Sequence, residues 1–250
     1  VTAEPTPTGE PLVVAPTPTI VLIPGAGGDA RYWDRVVPHL ADAGYAAIAV
    51  ELPAGDDAAG IPEYVDIVVA AVGDRRRLVV VAQSMGSYTA AALCDRMAVE
   101  MLVFVAAMIP LAGETAGEWW TATGQVRAKR DLDLHEGRDP DGPFDPVVTF
   151  FHDLGPDALG DVMAAGESPQ SATPFSSPFT ATAWRSVPTR AVIGSGDRLF
   201  PPRFMRTLVR TRLGIEPDVV DAGHLIAMAR PNELASLILD YVAQAERPPR

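Results

Sequence analysis

The stretch 78–87, LVVVAQSMGS, constrains this chain more than any other. It opens on four apolar residues, three of them β-branched, which predicts a short, fully buried strand. Residues 88–98 are rich in Ala, Leu and Met and predict a helix. Between the two lies Ser84, with Ala82 and Gly86 two residues away on either side. A sharp strand-to-helix turn lifts the serine oxygen above the sheet edge and leaves no room for bulk at those flanks. That is the steric logic of the G-x-S-x-G nucleophile turn, here with Ala at the first Gly. A serine that merely caps a helix is the competing reading, and the rest of the chain decides between them.

Residues 19–23, TIVLI, predict a buried strand that runs straight into Pro24-Gly25-Ala26-Gly27-Gly28. Glycines allow positive φ and close approach of backbone to a ligand. A phosphate-cradling loop is one reading, but G-x-G-x-x-G fails at Ala30 and no Gly-Lys-Ser/Thr follows. The other reading is a loop whose Ala26 N–H faces a reacting oxygen. Further strands are expected at 45–50, 101–105, 189–193 and 218–220, and helices at 33–43, 61–72, 202–213 and 231–245. Strand alternating with helix predicts an α/β chain with a mostly parallel central sheet flanked by helices.

The rhythm breaks between Pro110 and Arg185, which hold many Pro and Gly, acidic runs and scattered aromatics, with a helix expected near 153–165. A long irregular segment inside a compact domain usually serves function. It is read as a cap over the site, with Trp119, Trp120, Phe150 and Phe151 as substrate contacts. The expected organisation is a Pro/Thr-rich tail at 1–18, a core of 19–109 with 186–250, and an inserted cap at 110–185. Residues 12–14 are a candidate edge strand.

Composition narrows the classes. A net charge of −12 with Lys129 as the only lysine leaves no basic stripe for tracking phosphates, so nucleic acid is not an expected partner. The lone Cys94 excludes an intrachain disulfide and a Cys-based metal site, and reads as a buried, inert thiol. No apolar run reaches membrane-spanning length, and the N-terminus lacks the pattern of a signal peptide, so the expectation is cytoplasmic, without membrane association.

Three reactive groups follow three strands: Ser84, Asp197 in the turn Gly194-Ser195-Gly196-Asp197, and His224 after Asp221-Ala222-Gly223. Serine needs a base to become a good nucleophile, and imidazole serves near neutral pH. A carboxylate fixes its tautomer and stabilises the imidazolium. Asp197 is the expected acid and Asp221 its rival. The backbone N–H groups of Ala26 and Met85 are the expected oxyanion donors. His135 and His152 follow no strand and are assigned to the cap, while Glu114 and Glu118 are expected to be solvated.

With IPGAGG after the first strand, AQSMGS at the serine, SGD after the strand at 189–193 and AGH before the last helix, the chain resembles the α/β-hydrolase superfamily over residues 19–245. It is most similar to the small esterase-like members that include plant methyl esterases and hydroxynitrile lyases, and to uncharacterised actinobacterial relatives. The resemblance implies an α/β-hydrolase fold with an inserted cap and a Ser84-His224-Asp197 triad. Pro24 departs from the family's common His, Ala82 from its first Gly and Ser87 from a frequent Gly. Serine at 84 argues against the branches that use a carboxylate nucleophile. The reading is a cofactor-free, metal-free serine hydrolase acting on an ester or lactone of a modest-sized apolar substrate. A lyase or cyclase using the same pocket, and a small-molecule receptor with a vestigial triad, are the alternatives.

Overall fold

The computed structural model describes residues 17–166 and 168–247. The candidate edge strand at 12–14 and most of the expected tail lie outside them. β1 (Thr19–Ile23), α1 (Val37–Asp42), β2 (Ala47–Ala49), α2 (Ile61–Val72), β3 (Leu78–Gln83), α3 (Gly86–Leu93) and β4 (Val99–Val105) form the first half. After β4 come α4 (Trp119–Ala122), α5 (Gln125–His135), a π-helical turn at Val147–Phe151, and α6 (Pro156–Ala165). β5 (Thr189–Gly194), α7 (Pro202–Leu213), β6 (Asp218–Val220), α8 (Ile226–Ala229) and α9 (Pro231–Ala245) complete the chain.

The strands make one six-stranded sheet in the order β2-β1-β3-β4-β5-β6, every neighbouring pair parallel. The parallel central sheet flanked by helices is the architecture expected from the sequence. The chain steps from β1 outward to β2, then returns to lay β3 on the other side of β1. The loops leaving β1 and β3 therefore diverge at their carboxyl ends and open a crevice between them, where parallel α/β sheets bind ligands. Pro24–Gly28 and Ser84 are those two loops.

Strand residues alternate between two apolar layers. Val21, Ile23, Val80, Ala82, Leu102 and Phe104 pack with Tyr64, Val68 and Val72 of α2 and Met205 and Val209 of α7. Ile20, Leu22, Val79, Val81, Val103 and Val105 pack with Leu40 of α1 and Leu234, Ile238 and Val242 of α9. Burial on both faces explains why these strands read as continuous apolar runs rather than as alternations.

Several elements differ in extent from the sequence expectation, each for a local reason. Residues 33–43 do not form one helix: a 3-10 turn at Ala30–Trp33 comes first, and α1 begins only at Val37 with Pro38 in its first turn. Proline is tolerated there because that N–H has no helical partner. Pro156 likewise sets the start of α6. α3 begins at Gly86 and stops at Leu93, short of the expected residue 98.

Segment 110–185 gives no strand to the sheet among the described residues and is more helical than expected. α5, QVRAKRDLDLH, is built from good helix formers and carries Arg127–Asp131 and Lys129–Asp133 pairs one turn apart. Burial of Asp133 works to raise its pKa, but its hydrogen bonds to Lys129 (2.5 Å) and Arg138 (2.8 Å) outweigh that and hold the carboxyl below its usual range. No helix among the described residues is long and apolar enough to cross a membrane.

Candidate active site

Ser84 occupies the turn between β3 and α3 with φ +49°, in the left-handed region that side chains other than glycine's avoid. The strain is held by hydrogen bonds on both sides. Its N–H donates to Val105 O (3.0 Å), and its carbonyl accepts from Met108 N (3.0 Å) and from the Ser87 hydroxyl (2.8 Å). The glycine at 86 has a concrete cause: a Cβ there would lie 2.2 Å from Pro24 O, where the start of α3 crosses the β1 loop. Ala82 needs no such exemption, being fully buried in the sheet opposite Ile23 and Phe104. Strain of this kind costs about 1–3 kcal/mol. Ser84→Gly is therefore expected to raise stability by about 1 kcal/mol after glycine's extra chain entropy is counted, read as a higher urea midpoint with unchanged slope. A lower midpoint would mean that the side chain packs in a way its lack of hydrogen bonds conceals.

Asp197 and His224 are brought together. His224 Nδ1 donates to Asp197 Oδ2 at 2.8 Å, and the side chains are 3% and 1% exposed respectively, so solvent does not compete for the contact. The other carboxylate oxygen accepts the N–H groups of Leu199 (2.9 Å) and Phe200 (2.8 Å). The local turn thus aims the carboxylate while leaving one oxygen for the imidazole. Phe200 also packs edge-on against the His224 ring at 4.8 Å, and Phe150 lies 5.5 Å from it. The rival Asp221 is exposed and accepts from the Ser195 hydroxyl (3.0 Å), with no bond to His224.

Ser84 Oγ itself makes no hydrogen bond to a described residue. Nucleophile–base contacts often close only when substrate is bound. Two contacts join the loops. A Cβ on Gly25 would sit 2.9 Å from Ser84 Cβ, and the Tyr32 hydroxyl, in the turn after the β1 loop, accepts Ala227 N–H (3.3 Å) just beyond His224. Burial pushes the Tyr32 phenol up, helped by the charges of Asp197 and Asp153, so it stays neutral at that junction. The N–H groups of Ala26 and Met85 find no acceptor among the described residues. They are free donors, one in the β1 loop and one in the residue that follows Ser84.

Side chains of segment 110–185 bond to these loops near the His224 pair and at the β1 loop. His152 Nε2 donates to Gly196 O (3.2 Å) and Asp153 accepts Gly223 N–H (2.6 Å), beside Asp197 and His224. On the other side, Gln170 Oε1 accepts Gly27 N–H (2.9 Å). Sequence reasoning passed over Gln170, Asp153 and Phe200. Only Phe200 carried a signal, since a residue three beyond an Asp in a Gly-rich turn shares the turn's hydrogen bonds.

The expected substrate contacts are only partly where they were placed. Phe150, Phe151 and Trp120 are half-buried, with Phe150 against His224. Trp119 is a correction: it is fully buried in the core, its indole N–H donates to Ile109 O (3.2 Å), and its ring packs 5.0 Å from Phe200. It lies behind the ring that touches His224. Glu114 is also not solvated. It forms a two-point ion pair with Arg212 at 2.6 and 2.8 Å, with side chains 10% and 7% exposed. Glu118 is exposed and closes a capping box with Thr115 (2.9 Å in each direction). Cys94 donates to Ala90 O, and burial pushes its thiol up to about 12, leaving it unreactive.

Comparison with known proteins agrees with the fold. Residues 20–237 match the family model for the alpha/beta hydrolase family. The chain belongs to that family. A probable hydrolase from a Phoma species is 25% identical over 243 residues, covering 89% of this chain and 97% of the relative. Among solved structures, polyneuridine aldehyde esterase superposes with a TM-score of 0.72 at 18% identity, covering 90% of this chain and 99% of that one. A pyrethroid hydrolase from Sphingobium faniae gives 0.69 at 20% identity, covering 91% and 98%. A methylesterase from Arabidopsis gives 0.70 at 19% identity, covering 91% and 100%. Likeness at these identities is a likeness of fold.

Proposed function

We propose that the chain is a cofactor-free serine esterase, with segment 110–185 as its cap and an ester or lactone of a modest-sized apolar compound as substrate. The observation that carries this reading is the buried Asp197–His224 hydrogen bond at the sheet edge that presents Ser84. Donation of Nδ1–H to Asp197 leaves the Nε2 lone pair as the base. In the proposed sequence Nε2 removes the Ser84 hydroxyl proton as Oγ attacks the carbonyl carbon. The carbonyl electrons move to oxygen, which the Ala26 and Met85 N–H groups bind. Collapse expels the alcohol, which takes the proton from His224. Water then repeats the steps on the acyl-enzyme and releases the acid. None of these steps needs a metal or cofactor. That the structural relatives named above are an esterase, a methylesterase and a pyrethroid hydrolase supports an ester as the substrate class.

A fluorophosphonate tests this directly, because it reacts with an activated serine and not with an ordinary one. A single adduct is expected, on the peptide that contains Ser84, together with a burst of alcohol from short activated aryl esters. Labelling elsewhere would move the nucleophile. A folded protein that forms no adduct and turns over no ester would end the esterase reading in favour of a non-hydrolytic enzyme or a receptor.

A further inference from the structure

The β1 loop contains a turn whose geometry depends on one side chain from the cap. Gly28 N–H donates to Gly25 O (3.1 Å), closing a four-residue turn with Ala26 and Gly27 at its centre. Gly27 has φ +88° while Ala26 is not among the residues with positive φ, which is the pattern of a type II turn. Type I and type II turns differ by a flip of the central peptide, here Ala26–Gly27. In a loop this rich in glycine the flip meets little steric resistance, so something else must select the orientation.

Gln170 supplies that selection. Its Oε1 accepts the N–H of the central peptide at Gly27 (2.9 Å). Its Nε2 donates to Ser171 O (3.0 Å), and lies 3.4 Å from both Ala54 O and the Tyr64 hydroxyl. The amide cannot turn over, because the carbonyls require Nε2 and the Gly27 N–H requires Oε1. Flipping the central peptide would set the Ala26 carbonyl against Oε1, acceptor against acceptor. The neighbourhood is tight as well. A Cβ on Gly27 would lie 3.0 Å from Ser168 Cβ, one on Gly55 would lie 2.8 Å from Pro169 Cγ, and Ser171 N–H donates to Ala54 O (2.6 Å).

We propose that Gln170 is a positioning residue that locks the Ala26–Gly27 peptide and so holds the oxyanion loop in its donor-presenting form. This rests on the reading of Ala26 as an oxyanion donor. Ala26 shares the locked peptide through its carbonyl, so the direction of its own N–H follows from a turn that Gln170 fixes. Because Gln170 belongs to the cap, seating of the cap and readiness of the oxyanion loop become one event.

The test compares wild type with Gln170→Met, which keeps the length and loses the acceptor. On an aryl acetate, kcat is expected to fall about 10–100-fold with KM within twofold, somewhat less than deletion of a whole oxyanion donor. Affinity for a trifluoromethyl ketone, whose serine adduct carries the oxyanion, is expected to fall in parallel. Affinity for the matching methyl ketone is expected to stay unchanged, since only the adduct uses the loop. A purely structural role would lower the melting point and move both ketones together or neither. Unchanged kcat and trifluoromethyl ketone affinity in the folded variant would overturn the proposal, as would a raised KM with kcat kept. Amide exchange in the wild-type chain is a second reading that does not depend on the variant folding. Gly27 N–H is expected to exchange at least about tenfold more slowly than Ala26 N–H, because only the former is bonded, and equal rates would overturn the lock. A wild-type protein that neither hydrolyses esters nor binds the trifluoromethyl ketone would overturn the esterase reading, and the catalytic role of Gln170 with it.

Discussion

Asp197→Asn is expected to lower kcat by about 10⁴-fold with little change in KM, while Asp221→Asn lowers it less than tenfold. The difference follows from what each carboxylate holds. Asp197 Oδ2 accepts the Nδ1 proton of His224, and this bond decides which imidazole nitrogen is free to take the serine proton. Asparagine keeps the shape of the turn, because its Oδ1 still accepts from Leu199 and Phe200. Its Nδ2, however, would face Nδ1 as a donor. The ring would then hold its proton on Nε2, the wrong nitrogen for a base, and the imidazolium would lose its counter-charge. Fold and melting point are expected to change little, so the loss would appear in the rate and in the rate of fluorophosphonate labelling. Asp221 is exposed and bonded to Ser195, so its loss is borne by solvent. If Asp221→Asn proved the more damaging, the acid would have to reach His224 by a rearrangement of the 194–197 turn.

The pair that this prediction depends on was legible in the sequence because each member follows a strand, and parallel strands deliver their carboxyl ends to one edge. Ser84 and the Gly25–Gly28 loop were legible for the same reason, sharpened by glycines whose missing Cβ atoms are visibly required at 25 and 86. What could not be read was the contact of the insertion with that edge. Gln170 is an unremarkable residue in a Pro- and Ser-rich stretch, and nothing local marks its side chain as a partner of a backbone 143 positions away. The same holds for Asp153 and Gly223. Residues 125–135 hid their helix in another way: they lay within the segment read as irregular, and the pairs at i and i+4 that stabilise the helix emerge only once helical spacing is assumed. The tryptophan pair was misread for a geometric reason. Successive residues on a helix point about 100° apart, so one of Trp119 and Trp120 could face the core while the other did not, and composition cannot say which.

That distinction has a measurable consequence. Trp119→Ala is expected to destabilise the protein by about 3–5 kcal/mol, the range for removing a large aromatic side chain from a packed core. For a chain of this size that corresponds to a melting point lower by about 10 °C. Trp119 has no exposed surface, packs against Phe200 at 5.0 Å and Phe204 at 5.8 Å, and joins α4 to α7. The surrounding rings cannot close the void without moving Phe200, which also lies on His224. The buried Ile109 carbonyl would not be orphaned, since Arg212 also donates to it, so the cost is one of packing. Catalysis is expected to suffer as a secondary effect, falling equally for all esters as the His224 ring loses its support. Phe150→Ala is the contrast. Phe150 is half-buried with its ring 5.5 Å from that of His224, so its loss should leave the melting point within about 2 °C and change the ranking of ester substrates. A Trp119→Ala protein with wild-type melting and an altered substrate ranking would return Trp119 to the substrate site.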